Sequence, residues 1–398
     1  MKNNKFAIFA LAMSAFAIGM TEFISVGLLP LIKDSFNTSI SMAGLTVSLY
    51  AIGVTVGAPV LTPLTNKMKR KHLLLGIMLI FIVANALAAV SVTFSMLLAM
   101  RILSALMHGV FMSIATAIAS DLVTPDKRSS AIAMMFTGLT VATITGVPLG
   151  TWICQQFGWE MSFVAIAIIG LISFIGNWLV VPNDLNEYDQ APMVEQLKVF
   201  KNKSLMMIYL ITALGYGGTF VVYTYLTTIL TDVMHYSDNA VVILLIIYGV
   251  MVAIGNTLGG KLTNHQPTKV LVAIFTIQAM VLLFVGITVT HQFIGTIAVL
   301  LMGLFAFMNV PGLQLIVVLF AERKHKATVN FASSLNIASF NIGITLGSVI
   351  GGFVLNHFSL TMTPYFGFIM VILASVMMYV TYKKETATQS TLAQACTE

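Results

Sequence analysis

The sequence predicts an all-α polytopic membrane protein whose twelve transmembrane helices form two six-helix pseudo-repeats. Three observations carry that reading: an extreme shortage of charge, a chain punctuated into twelve apolar segments, and local sequence echoes between the two halves. Of the 398 residues, 58% are hydrophobic and 9% are charged, against about 25% charged in a soluble protein. Mean hydropathy is +0.96. A water-soluble globule of this composition would expose far more apolar surface than solubility allows. Ser35 to Asn66 carries no charge at all, a run longer than the roughly 20 residues a helix needs to cross a bilayer. Outer-membrane barrels use short alternating strands in place of long apolar runs, so that architecture is excluded as well.

The apolar segments are 6–32, 40–66, 73–94, 96–120, 131–156, 161–182, 204–231, 239–262, 269–290, 294–321, 327–356 and 363–382, numbered below as helices one to twelve. Helix one begins after Lys2 and Lys5 and contains Ala15-Phe16-Ala17, which superficially resembles a signal peptide and its cleavage site. The apolar run continues to Ile32, so it is expected to remain as a transmembrane helix. The longest polar interval, 183–203, separates an N-terminal bundle over 1–182 from a C-terminal bundle over 204–382, with a tail over 383–398. Within that linker Val194, Leu197 and Phe200 recur at helical spacing beside Glu195, Lys198 and Lys201, a pattern equally compatible with an amphipathic surface helix and with an irregular connection.

Basic residues set the expected orientation. With the N-terminus in the cytoplasm, Lys2, Lys5, Lys67, Lys69, Arg70, Lys71, Lys127, Arg128, Lys198, Lys201, Lys203, Lys261, Lys269, Arg323, Lys324, Lys326, Lys383 and Lys384 all fall on the cytoplasmic side. That is 18 of the 20 Lys and Arg, leaving only Lys33 in an external turn and Arg101 within a helix. Both termini are therefore expected in the cytoplasm. The net charge of +6 is dispersed between apolar segments, so it does not argue for nucleic acid. The two cysteines, Cys154 and Cys396, give neither a disulfide framework nor a metal-ligand spacing. No metal and no organic cofactor are expected.

The halves echo each other. Tyr50, Gly57 and Leu64-Thr65-Asn66 recur as Tyr248, Gly255 and Leu262-Thr263-Asn264 at a shift of 198. Gly146-Val147-Pro148-Leu149-Gly150 in helix five corresponds to Gly347-Ser348-Val349-Ile350-Gly351 in helix eleven at a shift of 201. A parallel six-plus-six repeat is the architecture of a secondary transporter, with a substrate path near the membrane midplane.

Only Glu22, Arg101 and His108 are ionisable residues deep in apolar runs. Each charge at that depth costs at least about 2.5–3.5 kcal/mol, so such residues usually face a cavity. At 1.5 Å per residue, Glu22 lies about 15 Å below the outer face, Arg101 about 8 Å and His108 about 18 Å. Burial favours the neutral form of a carboxyl and a nearby guanidinium favours the charged one, which makes this triad a candidate proton-coupling site. The alternative is a Glu–Arg pair that only ties helix one to helix four. Neutral polar residues in the second half, Tyr216, Tyr223 and Tyr225 in helix seven, Asn309 and Gln314 in helix ten, and Asn336 and Asn341 in helix eleven, need partners in the membrane. Tyr216, Tyr223, Asn309, Gln314, Asn336 and Asn341 are the candidate substrate-binding residues, although each could instead bond a neighbouring helix. Gly146, Gly150, Gly343, Gly347 and Gly351 permit close helix crossings, and Pro148 should bend helix five. The stretch Gly255 to Lys261 has the spacing of a phosphate-binding loop, but Leu262 stands where Ser or Thr should hold magnesium and no strand precedes it, so no ATP site follows.

These motifs together resemble the major facilitator superfamily, in particular its twelve-helix drug/proton antiporter branch of arabinose and sugar efflux permeases. Gly19-Met20-Thr21-Glu22-Phe23 followed by Gly27-Leu28-Leu29-Pro30, Arg101 with His108-Gly109, the Gly138 to Trp159 stretch of helix five and Leu335-Asn336-Ile337-Ala338-Ser339-Phe340-Asn341-Ile342-Gly343 carry the resemblance. It implies the major facilitator fold and export of a small molecule (a drug, a sugar or a nucleoside-like solute) by antiport driven by the proton motive force. It also implies alternating access, a monomer in the lipid bilayer of a bacterial cytoplasmic membrane, and no enzymatic activity. A proton-independent facilitator is the alternative, and an intramembrane enzyme a more distant one. In that branch the glycines and Pro148 are associated with sealing the cytoplasmic side. The superfamily's loop between helices two and three departs here: its acidic residue is Asn66 and its glycines are missing from Thr62 to Lys71, while the basic Arg70-Lys71 end survives.

Overall fold

The computed structural model describes residues 2–65, 68–124, 128–183, 185, 198–263, 266–324 and 329–395. All regular structure among the described residues is helical, and twelve helices are long and apolar enough to cross a membrane. Helix one runs Lys2–Ser35, followed by a short turn Ile40–Ala43. Helices two to six run Leu45–Leu64, Arg70–Ala89, Phe94–Asp121, Arg128–Phe157 and Trp159–Val180. Helix seven begins at Lys203–Tyr223, then come Asp238–Leu262, Pro267–Thr288, the two pieces Gln292–Ala306 and Val310–Lys324 of helix ten, Val329–His357 and Thr363–Ala395.

Local chemistry starts and stops these helices. The Ser39 hydroxyl accepts from the Met42 N–H at 3.1 Å and Thr93 accepts from Met96 N–H at 3.2 Å, each satisfying an otherwise orphaned donor. Asn202 does the same for Ser204 and Leu205 at the start of helix seven. Pro267 occupies the first turn of helix nine, where its missing N–H costs nothing. Gly158, at φ 92°, turns the chain between helices five and six in a conformation that favours glycine. Large apolar side chains such as Leu79 and Val83 on helix three and Ile168, Leu171 and Leu179 on helix six are exposed, as expected of surfaces facing lipid.

Three details differ from the sequence expectation. Helix seven was expected to be continuous over 204–231, but it breaks at Thr224–Tyr225 and resumes as Leu226–Thr228 and a wide π-turn Ile229–Val233. Four threonines crowd this stretch, and their hydroxyls compete with the helix ladder: Thr231 bonds the Thr227 carbonyl at 3.2 Å. Helix ten breaks at Phe307–Asn309, and helix twelve continues through the expected tail to Ala395. The linker turn Lys198–Lys201 is a 3-10 helix; Val194 and Leu197 lie outside the described residues, as do Asn66, Asn264 and Cys396.

The chain divides into two compact units. Unit 1 comprises Met1–Gln190 together with Tyr223–Val250 and Ser348–Leu360; unit 2 comprises Ala191–Val222, Met251–Gly347 and Thr361–Glu398. Helices seven, eight and eleven thus each contribute one end to each unit. The core of unit 1 is lined by helix one, with Leu11, Ile18, Met20, Ile24 and Leu28 packed against Phe81, Phe111, Met135 and Phe163.

Candidate functional site

Unit 1 brings the three membrane-depth ionisable residues into one neighbourhood. Glu22 projects from helix one, is half-buried and interacts electrostatically with Arg101, Tyr50 and Tyr223. Among the described residues its carboxyl makes neither a hydrogen bond nor an ion pair. Arg101, 1% exposed, spends its donors elsewhere. Its Nη1 donates to the Thr21 carbonyl at 2.5 Å, and its Nε and Nη2 donate to the Thr46 carbonyl at 3.2 and 3.1 Å. The guanidinium carbon lies 4.2 Å from the centre of the Tyr50 ring, a cation–π contact that is strong where water is excluded. Arg101 therefore braces helices one, two and four through backbone carbonyls, one of them adjacent to Glu22.

Tyr50, which the sequence marked only as a repeated residue, joins this arrangement together. Its Oη lies 3.2 Å from His108 Nδ1, while its ring covers Arg101. His108 and Tyr50 are both buried. Two further polar residues in apolar runs extend the network: Asn85 Nδ2 donates to Ser104 Oγ at 3.2 Å, and Asn85 Oδ1 lies 3.4 Å from Thr21 Oγ1. Tyr223 stacks on Tyr248, the repeat counterpart of Tyr50, with ring centres 5.3 Å apart and planes 14° apart. Tyr50→Phe removes a hydroxyl while keeping the ring over Arg101. Stranding the buried His108 nitrogen costs about 1–3 kcal/mol, so the purified variant should melt several degrees lower in detergent; an unchanged midpoint would mean that the Tyr50–His108 bond contributes nothing.

At the other end of helix four, Arg70 Nη1 and Asp121 Oδ2 form an ion pair at 2.6 Å, with side chains 17% and 2% exposed. Asp121 Oδ1 has no hydrogen-bond partner among the described residues. Lys71 is buried beside this pair in sequence. The Arg70–Asp121 bridge ties the start of helix three to the end of helix four.

Unit 2 holds five of the six candidate substrate residues, in separate groups. Tyr216 packs within ring-centre distances of 5.0, 5.3 and 5.0 Å of Phe220, Phe307 and Phe340. Gln314 and Asn336 meet: Asn336 Nδ2 donates to Gln314 Oε1 at 2.8 Å, Gln314 Nε2 donates to Ser333 Oγ, and Thr212 donates to Asn336 Oδ1 at 2.8 Å. Asn309, at the break of helix ten, donates to Gln278 Oε1 at 3.0 Å, and Gln278 donates to Thr219 at 2.7 Å. Asn341 donates back to its own helix at Ile337, and its Oδ1 has no partner among the described residues. Most of these amide donors are spent on interhelical bonds. The sixth residue, Tyr223, belongs to unit 1.

The glycines sit at helix crossings. A Cβ on Gly138 or Gly150 would meet Ala12 or Ile24 of helix one, and one on Gly146 would lie 3.2 Å from Met20. On helix eleven, a Cβ on Gly343 would lie 2.6 Å from the Ala213 carbonyl, and one on Gly347 would meet the Gly217 carbonyl. Pro148 lies inside helix five, and Gly351 is buried in the part of helix eleven that belongs to unit 1.

Residues 11–333 match the Major Facilitator Superfamily. The chain belongs to that superfamily. It is 53% identical over 376 residues to the uncharacterized MFS-type transporter YtbD of Bacillus subtilis (strain 168), covering 94% of this chain and 95% of the relative. It is 34% identical over 389 residues to the inner membrane transport protein YdhP of Escherichia coli (strain K12), covering 98% of each. The putative transporter AraJ of the same organism is 28% identical over 390 residues, covering 96% of this chain and 97% of AraJ. Among solved structures, a bacterial homologue of the lysosomal transporter Spinster, in an inward-facing and unoccupied conformation, matches with a TM-score of 0.78 over 96% of this chain and 97% of its own, at 13% identity. The nucleoside transporter NupG matches with a TM-score of 0.75 over 95% of this chain and 99% of its own, also at 13% identity; at that identity both show the fold alone. The protein is a multi-pass membrane transporter, as the composition and the repeat predicted, and its fold is the major facilitator fold that the motif resemblance implied.

Proposed function

We propose that the chain exports a small molecule from the cytoplasm in exchange for protons, with Glu22 as the group that takes and releases the proton. The observation that carries this reading is a carboxyl at membrane depth that makes no ion pair or hydrogen bond among the described residues, beside an arginine whose donors are held by carbonyls. Such a carboxyl can change protonation state without breaking a protein contact. Arg101 and, through Tyr50, His108 supply the electrostatic surroundings that a change of conformation would alter. Substrate selection is assigned to the polar and aromatic residues of unit 2, whose described residues include no Asp, Glu, Lys, Arg or His at comparable depth, and drugs, sugars and nucleoside-like solutes remain the candidate classes. The test is reconstitution in liposomes with a pH-sensitive dye inside. Substrate-dependent proton movement supports antiport, whereas saturable flux without protons assigns a facilitator.

The same reading places the protein in the cytoplasmic membrane with both termini inside, because 18 of the 20 basic residues then lie on that side. In a background lacking Cys154 and Cys396, a membrane-impermeant maleimide added outside should label Asp238→Cys and miss Lys261→Cys. The reverse pattern would invert the orientation and the direction of transport.

A further inference from the structure

We propose that Tyr225 is the latch of a gate at the end of unit 1 opposite the N-terminus, held shut by a socket that two glycines leave open. Helix seven breaks at Thr224–Tyr225, and the break turns the Tyr225 phenol inward, 1% exposed, where it joins the core of the first six helices. Its hydroxyl donates to the Ser348 carbonyl of helix eleven at 2.9 Å. Two glycines make room for that hydroxyl. A Cβ on Gly352 would stand 2.9 Å from Tyr225 Oη and 2.7 Å from Ser41 Oγ, and one on Gly44 would lie 3.1 Å from Tyr225 Cζ and closer still to Oη.

The remaining contacts converge on the same place. Ser348 Oγ donates to the Gly44 carbonyl at 3.2 Å, Thr227 Oγ1 donates to the Val26 carbonyl of helix one at 2.9 Å, and Asn356 Nδ2 donates to Ser41 Oγ at 3.2 Å. Segments 26–44, 225–227 and 348–356 are thereby pinned together. Helices seven, eight and eleven pass from one compact unit to the other at Val222/Tyr223, Val250/Met251 and Gly347/Ser348. Of these three crossings, only the one in helix seven coincides with a broken helix. Irregular backbone at membrane depth is tolerated only where protein surrounds it, and the buried hydroxyls of Thr224 and Thr228 have no hydrogen-bond partner among the described residues. The break in the regular helix gives this segment a place to bend that a continuous helix lacks. Opening at this end then requires the phenol to leave its socket while the break acts as the hinge.

This inference rests on the alternating-access reading above, and the experiment separates the two. Spin labels at Asp34→Cys and His357→Cys, in a background lacking Cys154 and Cys396 and in lipid nanodiscs, report the separation of helices one and eleven at the gated end. Tyr225→Phe should raise the ratio of long to short distances roughly 2- to 12-fold, the range for one net hydrogen bond, and Gly352→Leu should shift it further. Gly249→Trp provides an opening that does not touch the latch, because a Cβ there already meets the Ile144 backbone at 2.9 Å. If Gly249→Trp lengthens the distance while Tyr225→Phe and Gly352→Leu reproduce the wild type, Tyr225 is not the latch. If none of the three lengthens it, the gate and the alternating-access reading both fall.

Discussion

Glu22→Gln is expected to abolish uphill export while leaving ligand binding and downhill flux largely intact. The amide has nearly the volume of the carboxyl and imitates its protonated form permanently, so it removes the exchangeable proton without creating a void. The energy at stake is large: one proton entering per cycle draws about 2.3 kcal/mol from 100 mV of membrane potential, roughly a 50-fold gradient before any pH difference is added. The other candidate carriers are bonded in this structure. Asp121 is held by Arg70 at 2.6 Å, an ion pair that protonation would break, and His108 Nδ1 lies 3.2 Å from Tyr50 Oη, a bond whose direction the charge of the ring would fix. The measurement is substrate accumulation against an imposed proton gradient in liposomes, with binding followed separately by calorimetry. Full uphill export by the variant, with an unchanged proton requirement, would move coupling to one of those two residues.

The twelve helices were legible because charge and turn residues cluster between apolar runs, and a membrane forbids much else. Helix six, expected at 161–182, runs Trp159–Val180, and helix four, expected at 96–120, runs Phe94–Asp121. The break in helix seven was not legible, since Thr224-Tyr225-Leu226 carries no charge, glycine or proline and a hydropathy pattern records no backbone geometry. Within the site, rarity exposed Glu22, Arg101 and His108, because a charge in an apolar run stands out. Tyr50, Asn85 and Ser104 did not stand out, since neutral polar residues are common in membrane helices. The donors of Arg101 reach carbonyls 55 and 80 positions away in sequence, and one sequence contains no information on the helix register that decides such a meeting. The Tyr50–Tyr248 echo was the one available pointer to Tyr50.

Gly347→Ala should be far more damaging than Gly150→Ala, although repeat symmetry makes these regions of the chain equivalent. Both glycines lie where two helices cross, but the neighbours differ. The nearest atoms to a methyl at Gly150 all belong to the Ile24 side chain, which can adjust more readily than backbone. At Gly347 the methyl would run into the Gly217 carbonyl, with Phe220 Cβ at 2.8 Å and the Val221 nitrogen at 3.0 Å. Gly217 itself has room for a Cβ only 2.5 Å from the Gly343 carbonyl, so helices seven and eleven touch backbone to backbone over two turns. Backbone cannot rotate aside, and the helices must separate, forfeiting the dispersion contacts that hold membrane helices together. Overpacking of this kind costs about 1–3 kcal/mol for a single methyl, and Gly347→Leu should leave little folded protein. Thermal unfolding of the purified variants, followed by size-exclusion fluorescence, gives the comparison. Gly347→Ala is expected to melt well below Gly150→Ala, and equal midpoints would mean that the helix seven–eleven crossing yields as readily as a side chain.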